Sequence, residues 1–572
     1  MTNKWGKNDI HYIKIFFFCV AVGLFGCAGQ YPPPGGAVDT TPPEILFTDP
    51  AQNTLNFHGN SVVIKFSEYV HQRSVQEAVF FSPNLGSLDY EWDGTEVEIK
   101  FSEELRENTT YVLSVGTDVN DRRNGNRMKE AYSLAFSSGD KIDSCSISGK
   151  VFHSKPSGIS IFAYKLENYD ADTLNPQKIK PDYITQTGSD GSFIMPFLAI
   201  GEYRVFAIRD EYKNFLYDPQ VDQYGVFSDS ISLTADIPHF SGLSFRMTTE
   251  DTLSPFIDAV TVIDKNKINI RFNEPIDTSN IQDISISISD TIKTDSLSVQ
   301  EICILGTERK QLALITSEQD TSFYRLTISG VQDTAGNIIL DKNKQIVFNG
   351  SNIPDTVSPS ISFLNIKDSI NDIPFNFILK LGITEPVIKE KFQRGFNILD
   401  SNRVLVEGKF NWLSNANVSF FPSEKLQSLM WYTVSIVMDS ISDYLDNSIK
   451  DSILIRKFRT IDKKKLGEIR GIVRDNPKDT LDEDVVIEIN KLNSVTKSSK
   501  KLESKKSGNY IFEDLEEGQY VIGAFTDEKN NGLFDYGKIY PYVRPERFIF
   551  YPDTIKVRAR WPVDGINLKI KN

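Results

Sequence analysis

The chain has 572 residues, 40% of them hydrophobic and 11% aromatic, which is enough for several packed domains of about 100–150 residues each. Its net charge of −14 argues against a nucleic-acid partner, because such binders carry a basic footprint. Four cysteines are too few for a disulfide framework, so the domains must hold together by hydrophobic burial.

The chain opens with Lys4, Lys7 and Lys14, followed by an apolar stretch over residues 15–25 and a small residue, Gly26. That order is the grammar of a secretory signal peptide. The stretch is too short to span a bilayer, which needs about 20 residues. The run Leu24-Phe25-Gly26-Cys27 resembles the lipobox of bacterial lipoproteins. The resemblance implies cleavage before Cys27 and addition of a diacylglyceryl group to it. Residues 1–26 then form the signal peptide, and 27–42, with Pro32, Pro33, Pro34, Gly35 and Gly36, form a tether.

After the tether the chain repeats itself. Asp39-Thr40-Thr41-Pro42-Pro43 recurs as Asp251-Thr252-Leu253-Ser254-Pro255 and as Asp355-Thr356-Val357-Ser358-Pro359. Each copy leads into an alternating strand that ends in an acid: Glu68, Glu274 or Glu385. Later in each copy a tyrosine opens another alternating strand (Tyr111, Tyr324, Tyr432), which runs to an Asp-rich turn at 121–126, 333–337 or 443–447. Alternation over five to seven positions predicts half-buried strands. The tyrosines share parity with the inward residues, so they should enter the core like the tyrosine corner of an immunoglobulin-type sandwich. We refer to this as the long repeat.

A second unit, the hairpin repeat, occurs twice. Residues 190–218 align without gaps on 507–535, with 11 of 29 positions identical. Each copy is preceded by a start strand containing one glycine, Gly149 or Gly471. Its pattern Leu-x-x-Gly-x-Tyr reads as two strands joined by a tight turn, with Gly201 or Gly518 supplying a positive φ. The resulting order is all β: module 1 at 43–140, module 2 at 141–250, module 3 at 251–353, module 4 at 354–463 and module 5 at 464–572. Modules 1, 3 and 4 are long repeats, and modules 2 and 5 are hairpin repeats. Joined in series, each would touch only its chain neighbours. Only a short helical turn, near residues 74–78, is predicted.

Taken in this order, the motifs resemble lipoproteins of Bacteroidetes. The long repeat looks like a bacterial Ig-like domain of the surface-layer-protein type. The hairpin repeat looks like the transthyretin-like or carboxypeptidase-regulatory-like β-sandwich. The resemblance implies tandem sandwiches and an extracytoplasmic address, and it implies no reaction. The residue after Cys27 is Ala28, with no acidic run behind it, whereas acidic residues there tend to mark surface export in this group. The expected location is therefore the outer membrane, lipid-anchored and facing the periplasm.

Chemistry-bearing motifs are sparse. The histidines beyond the signal peptide, His58, His71, His153 and His239, are scattered, and no arrangement of nucleophile, base and acid can be assembled from sequence. Glu68, Glu274 and Glu385 read as strand-end acids that keep an edge soluble, the alternative being a repeated ligand or metal contact. Trp92, Trp412, Trp431 and Trp561 read as core residues, the alternative being a sugar-stacking platform. The basic run 497–506 reads as a solvated loop or hairpin. The strongest metal candidate is the loop 527–535, with Asp527, Asn531 and Asp535 as side-chain ligands and Leu533 offering its carbonyl. It partly matches a calcium loop, but Lys529 and Lys538 stand where a calcium loop carries oxygen ligands. No cofactor is required, and weak Ca2+ binding is possible. The expectation is a non-enzymatic, membrane-anchored envelope lipoprotein that is structural or binds other envelope proteins, the alternative being a surface adhesin or glycan-binding protein.

Overall fold

The computed structural model describes residues 38–570 except 172, 280, 294, 307, 415, 449–451, 476–482, 495–496 and 503–507. Cys27 and the signal and tether residues up to 37 lie outside the described residues. The architecture is all-β, a tandem of sandwiches. The chain divides into two compact units, residues 1–142 and 143–572, so module 1 stands by itself and modules 2 to 5 form one body.

Module 1 is a seven-stranded sandwich. One sheet has the order Ile45–Asp49, Ser61–Phe66, Glu96–Phe101, Leu88–Asp93, and the other is Val79–Ser82, Thr110–Val115, Tyr132–Ser137. In Ser61–Phe66 every second side chain, Val62, Ile64 and Phe66, is buried, as the period of two requires. Modules 3 and 4 repeat the plan with two four-stranded sheets each. The helical turn expected near 74–78 is the helix Gln72–Ala78, and module 4 has a counterpart at Lys389–Gly395.

The inward tyrosines close corners. The Tyr111 hydroxyl accepts from the Arg106 amide at 2.8 Å, and the Tyr432 hydroxyl accepts from the Gln427 amide at 2.8 Å. Tyr324 donates to the Asp320 carboxylate at 2.9 Å. The hairpin repeats use the same device: Tyr203 donates to the Ala199 carbonyl and Tyr520 to the Glu516 carbonyl, both at 2.8 Å.

In modules 2 and 5 the start strands, Cys145–Phe152 and Leu466–Asp475, pair antiparallel with the hairpin strand and parallel with a C-terminal strand. This parallel neighbour explains the start-strand glycine. A Cβ on Gly471 would lie 1.8 Å from the Ile566 carbonyl oxygen, and one on Gly149 would lie 2.3 Å from that of Leu243. The turn glycines Gly201 and Gly518 have φ of +154° and +159°.

The serial arrangement needs one correction. Module 2 packs on module 5, across modules 3 and 4 in sequence. Phe152 lies 4.8 Å from Phe550, and Arg204 sits 3.9 Å above the Tyr542 ring. The outer faces of the two hairpin repeats carry aromatic rings that would otherwise face water, and burying them against each other drives the contact.

Candidate functional site

The long repeat brings together residues that are far apart in sequence. In module 3 the turn acid Asp333 is buried and its carboxylate accepts from the amides of Ala335 and Asn337, both at 2.8 Å. The Asn337 side chain then donates to the Asp251 carbonyl at 3.0 Å, latching the linker onto the turn. Module 1 uses the same latch: Asp121 accepts from the amides of Arg123, Asn124, Gly125 and Asn126, and the Asn126 side chain donates to the Asp39 carbonyl at 3.0 Å. The Asn124 amide and the others hold the Asp121 carboxyl down at about 2.

The strand-end glutamates point into these latches. Carboxylate oxygens of Asp251, Glu274 and Asp333 lie within 4.8 Å of one another, and so do those of Asp355, Glu385 and Asp443. Glu274 is raised, first by burial and then by Asp251 and Asp333. Glu385 is 3% exposed, so it is not a solubilising edge acid. Its charge is met by an ammonium from the preceding module, with Lys267 Nζ 3.1 Å from Glu385 Oε2. Burial still raises Glu385. The module 4 cluster is thus an ionic tie between modules 3 and 4. Asn417 Nδ2 and Ser414 Oγ reinforce it by donating to the Ile304 carbonyl at 2.7 and 2.9 Å.

In the hairpin repeats the candidate loop is organised the same way twice. In module 5 Asp527 accepts from the amides of Asn531 at 2.9 Å and Gly532 at 3.2 Å. In module 2 Asp210 accepts from the amides of Asn214 at 3.2 Å and Phe215 at 2.8 Å. Each loop is braced from outside by a carboxylate that sequence reasoning missed. Glu546 accepts from the amides of Glu528 and Asp535, at 2.8 and 2.9 Å, and Asp222 accepts from those of Glu211 and Asp218, at 3.0 and 2.8 Å. Burial pushes Glu546 up to about 7 and Asp222 up to about 6, and neighbouring carboxylates add to both shifts.

Of the calcium candidates, Asp527 and Asp535 lie close to lysines. Lys501 Nζ is 2.9 Å from Asp527, and Lys529 Nζ is 3.1 Å from Asp535. Burial works against the Asp527 charge, but Lys501 and the loop amides outweigh it and lower its pKa. The Asn531 side chain accepts from the Leu533 amide at 2.7 Å. A cation on Asp527, Asn531, Leu533 and Asp535 would have to displace both ammonium groups.

The interface of modules 2 and 5 centres on Arg246. Its guanidinium lies 3.1 Å from Glu488, in a pair whose side chains are 17% and 9% exposed, and it stacks over Phe534 at 4.7 Å. Tyr542 donates to the Phe227 and Ser228 carbonyls at 3.0 Å, and Tyr224 donates to the Gly537 carbonyl at 2.8 Å. Modules 2 and 3 meet at their chain junction, where the Gln220 side chain donates to the Thr252 hydroxyl, so modules 2, 3, 4 and 5 form a closed circuit of chain-adjacent joints and the 2–5 contact. Its last joint is between modules 4 and 5, where Lys425 pairs with Glu513 at 2.9 Å and Asp514 at 2.7 Å.

The tryptophans divide. Trp92 and Trp412 pack against the cores of modules 1 and 4. Trp431 and Trp561 are instead exposed, Trp561 by 70%, which departs from the core reading. The basic run contains an edge strand, Lys497–Leu502, which pairs with Val485–Lys491. Lysines on an edge oppose strand addition. Ser146 and His239 are neighbours on adjacent strands, with Oγ 2.9 Å from Nδ1, on an exposed surface.

No curated protein matches the chain. Among solved structures it is similar to the N-terminal part of the bacterial S-layer protein SbsC, at 16% identity over 36% of this chain and 44% of that one, with a TM-score of 0.16. It is also similar to the Bacillus anthracis TIE protein (9% identity, 94% and 75% covered, TM-score 0.14) and to BcpA, the major pilin subunit of Bacillus cereus (10% identity, 76% and 100% covered, TM-score 0.14). The chain spans less than half the length of the first of these, and TM-scores this low carry no argument. Residues 39–138, which are module 1 with its leading linker, match the bacterial Ig-like domain family.

Proposed function

We propose that this protein is a non-enzymatic lipoprotein of the cell envelope, anchored by a lipid on Cys27 in the outer membrane and facing the periplasm, with a structural or protein-binding role. The observation that carries the structural part is the closed circuit of modules 2 to 5. Ionic, aromatic and hydrogen-bonded joints at the contacts between modules 2 and 5, 3 and 4, and 4 and 5 stiffen the body against hinge motion. A stiff body presents its strand edges and loops in fixed positions, which suits a scaffold. Module 1, a separate unit, offers an edge of its own for protein binding: Ile45–Asp49 ends its sheet, with Leu46 and Phe47 exposed.

The test is photo-crosslinking in cells from position 47, combined with membrane fractionation. Wild type should stay with membranes through a high-salt wash and crosslink to another envelope protein, and Cys27→Ser should be released. Retention of Cys27→Ser on the membrane, or absence of any crosslinked species, would contradict the proposal. Calcium at the Asp527 loop would compete with Lys501 and Lys529, so any affinity should lie near the weak end, about 10⁻³ M. A second reading, glycan binding, is favoured by the exposure of Trp561.

A further inference from the structure

The joint between modules 4 and 5 encloses a cleft of about 550 Å3 that none of the contacts above fills. Its floor is apolar, with Phe375 and Leu466 buried beneath it. One wall is the module 4 loop that carries Gln427 and Ser428. The opposite wall is module 5, where Arg560 takes a φ of +67° at the turn that presents Trp561. That indole is 70% exposed although it lines a concavity. A large aromatic ring left in water at the wall of a cleft, on a backbone turn of unfavourable φ, is a feature that needs a reason.

We propose that this cleft is a binding site for a neutral oligosaccharide, with Trp561 as the stacking platform. The proposal deepens the glycan-binding reading and rests on it. The volume falls within the roughly 300–1,000 Å3 of small-ligand sites, and junctions between domains are where such sites concentrate. Three basic side chains (Lys425, Lys463, Arg560) and three acidic ones (Glu468, Glu513, Asp514) line it, so the lining has no net charge. Two of the acids are met by Lys425, which bridges Glu513 and Asp514, and the third, Glu468, pairs with Arg470 beside the cleft. A cationic ligand would have to displace Lys425 from Glu513 and Asp514. A neutral polyol would not, because each hydroxyl both donates and accepts, and vicinal hydroxyls can bridge a carboxylate and an ammonium. A pyranose ring also has an apolar C–H face that matches the indole, and the exposed amide of Gln427 offers a donor and an acceptor from the opposite wall.

The test uses the full chain and a defined panel: cellohexaose, maltohexaose, laminarihexaose and chitohexaose, titrated by calorimetry and by tryptophan fluorescence. At least one hexasaccharide should bind. Trp561→Ala should weaken that binding at least about tenfold, the loss expected for truncating an aromatic anchor. Gln427→Ala, on an exposed loop where it does not threaten folding, should weaken it by a smaller factor. Trp431→Ala should leave it unchanged. If a hexasaccharide binds and Trp561→Ala has no effect, the cleft assignment is wrong although glycan binding stands. If nothing in the panel binds at millimolar concentration, both fall. A heptapeptide of mixed Lys and Glu binding in a Trp561-dependent manner would also overturn the proposal, making the cleft a peptide site.

Discussion

Glu546 lends itself to a quantitative test of the buried carboxylate brace in module 5. It is 4% exposed and both its oxygens accept backbone amides, yet burial and the nearby Asp535 and Asp527 raise its pKa from 4.5 to about 7. The folded value lies above the unfolded one, so the folded state binds the proton more tightly. The associated stability is complete below pH 4.5 and is lost as pH rises through about 7. Between pH 8 and pH 5.5 module 5 should gain about 2 kcal/mol from this group alone, roughly a 30-fold change in opening equilibrium. Glu546→Gln removes the titration. It also leaves one of the two amides facing an NH2 group, a fixed loss of about 1–3 kcal/mol. Hydrogen exchange of the strand Gly518–Thr526 reads the opening. The wild-type to Glu546→Gln protection ratio should fall about 30-fold from pH 5.5 to pH 8. A ratio independent of pH would mean that the folded state does not hold the Glu546 proton more tightly than the unfolded chain does.

Other consequences follow from the packing. Replacing Arg246 and Glu488 singly and together by alanine should give a coupling of about 1–3 kcal/mol in a double-mutant cycle on module 5 protection, since the pair is largely removed from water. Tyr111→Phe should lower the stability of module 1 by about 1–3 kcal/mol in a urea titration, because the Arg106 amide loses its acceptor. Gly471→Ala should destabilise module 5 by about 1–3 kcal/mol or more, as the Cβ would meet the Ile566 carbonyl and displace the C-terminal strand.

Much of the fold was legible because two periodicities carry it. The alternating strands, the tyrosines that open them and the two repeat types all follow from side-chain parity along a strand, which sequence displays directly. The carboxylate clusters were legible only in part. Glu68, Glu274 and Glu385 stood at matched positions, but nothing local says that a linker Asp and a turn Asp fold over them. The braces Asp222 and Glu546 were hidden because they follow the aligned loops at different distances, after 218 in one copy and 535 in the other. A repeat search aligns residues and does not align contacts across loops of unequal length. The docking of module 2 on module 5 was invisible for another reason. Phe152, Phe548 and Phe550 sit in ordinary alternating strands, and alternation does not tell which of two faces meets a second module. Trp561 was read as core because it ends the strand-like run 557–561; the positive φ at Arg560 breaks that run and turns the indole outward.

Modules 2 and 5 dock directly, through Phe152, Arg246 and Tyr542. Spin labels on cysteines introduced at Asp229 and Val543, both exposed and flanking the Tyr542 contact with Ser228, would measure the docking in the full chain. The docked arrangement predicts one narrow distance distribution below about 25 Å, set by two touching backbones and two label arms. Modules strung in series would place two sandwiches of roughly 30 Å each between the labels. A broad distribution centred beyond about 60 Å would contradict the account.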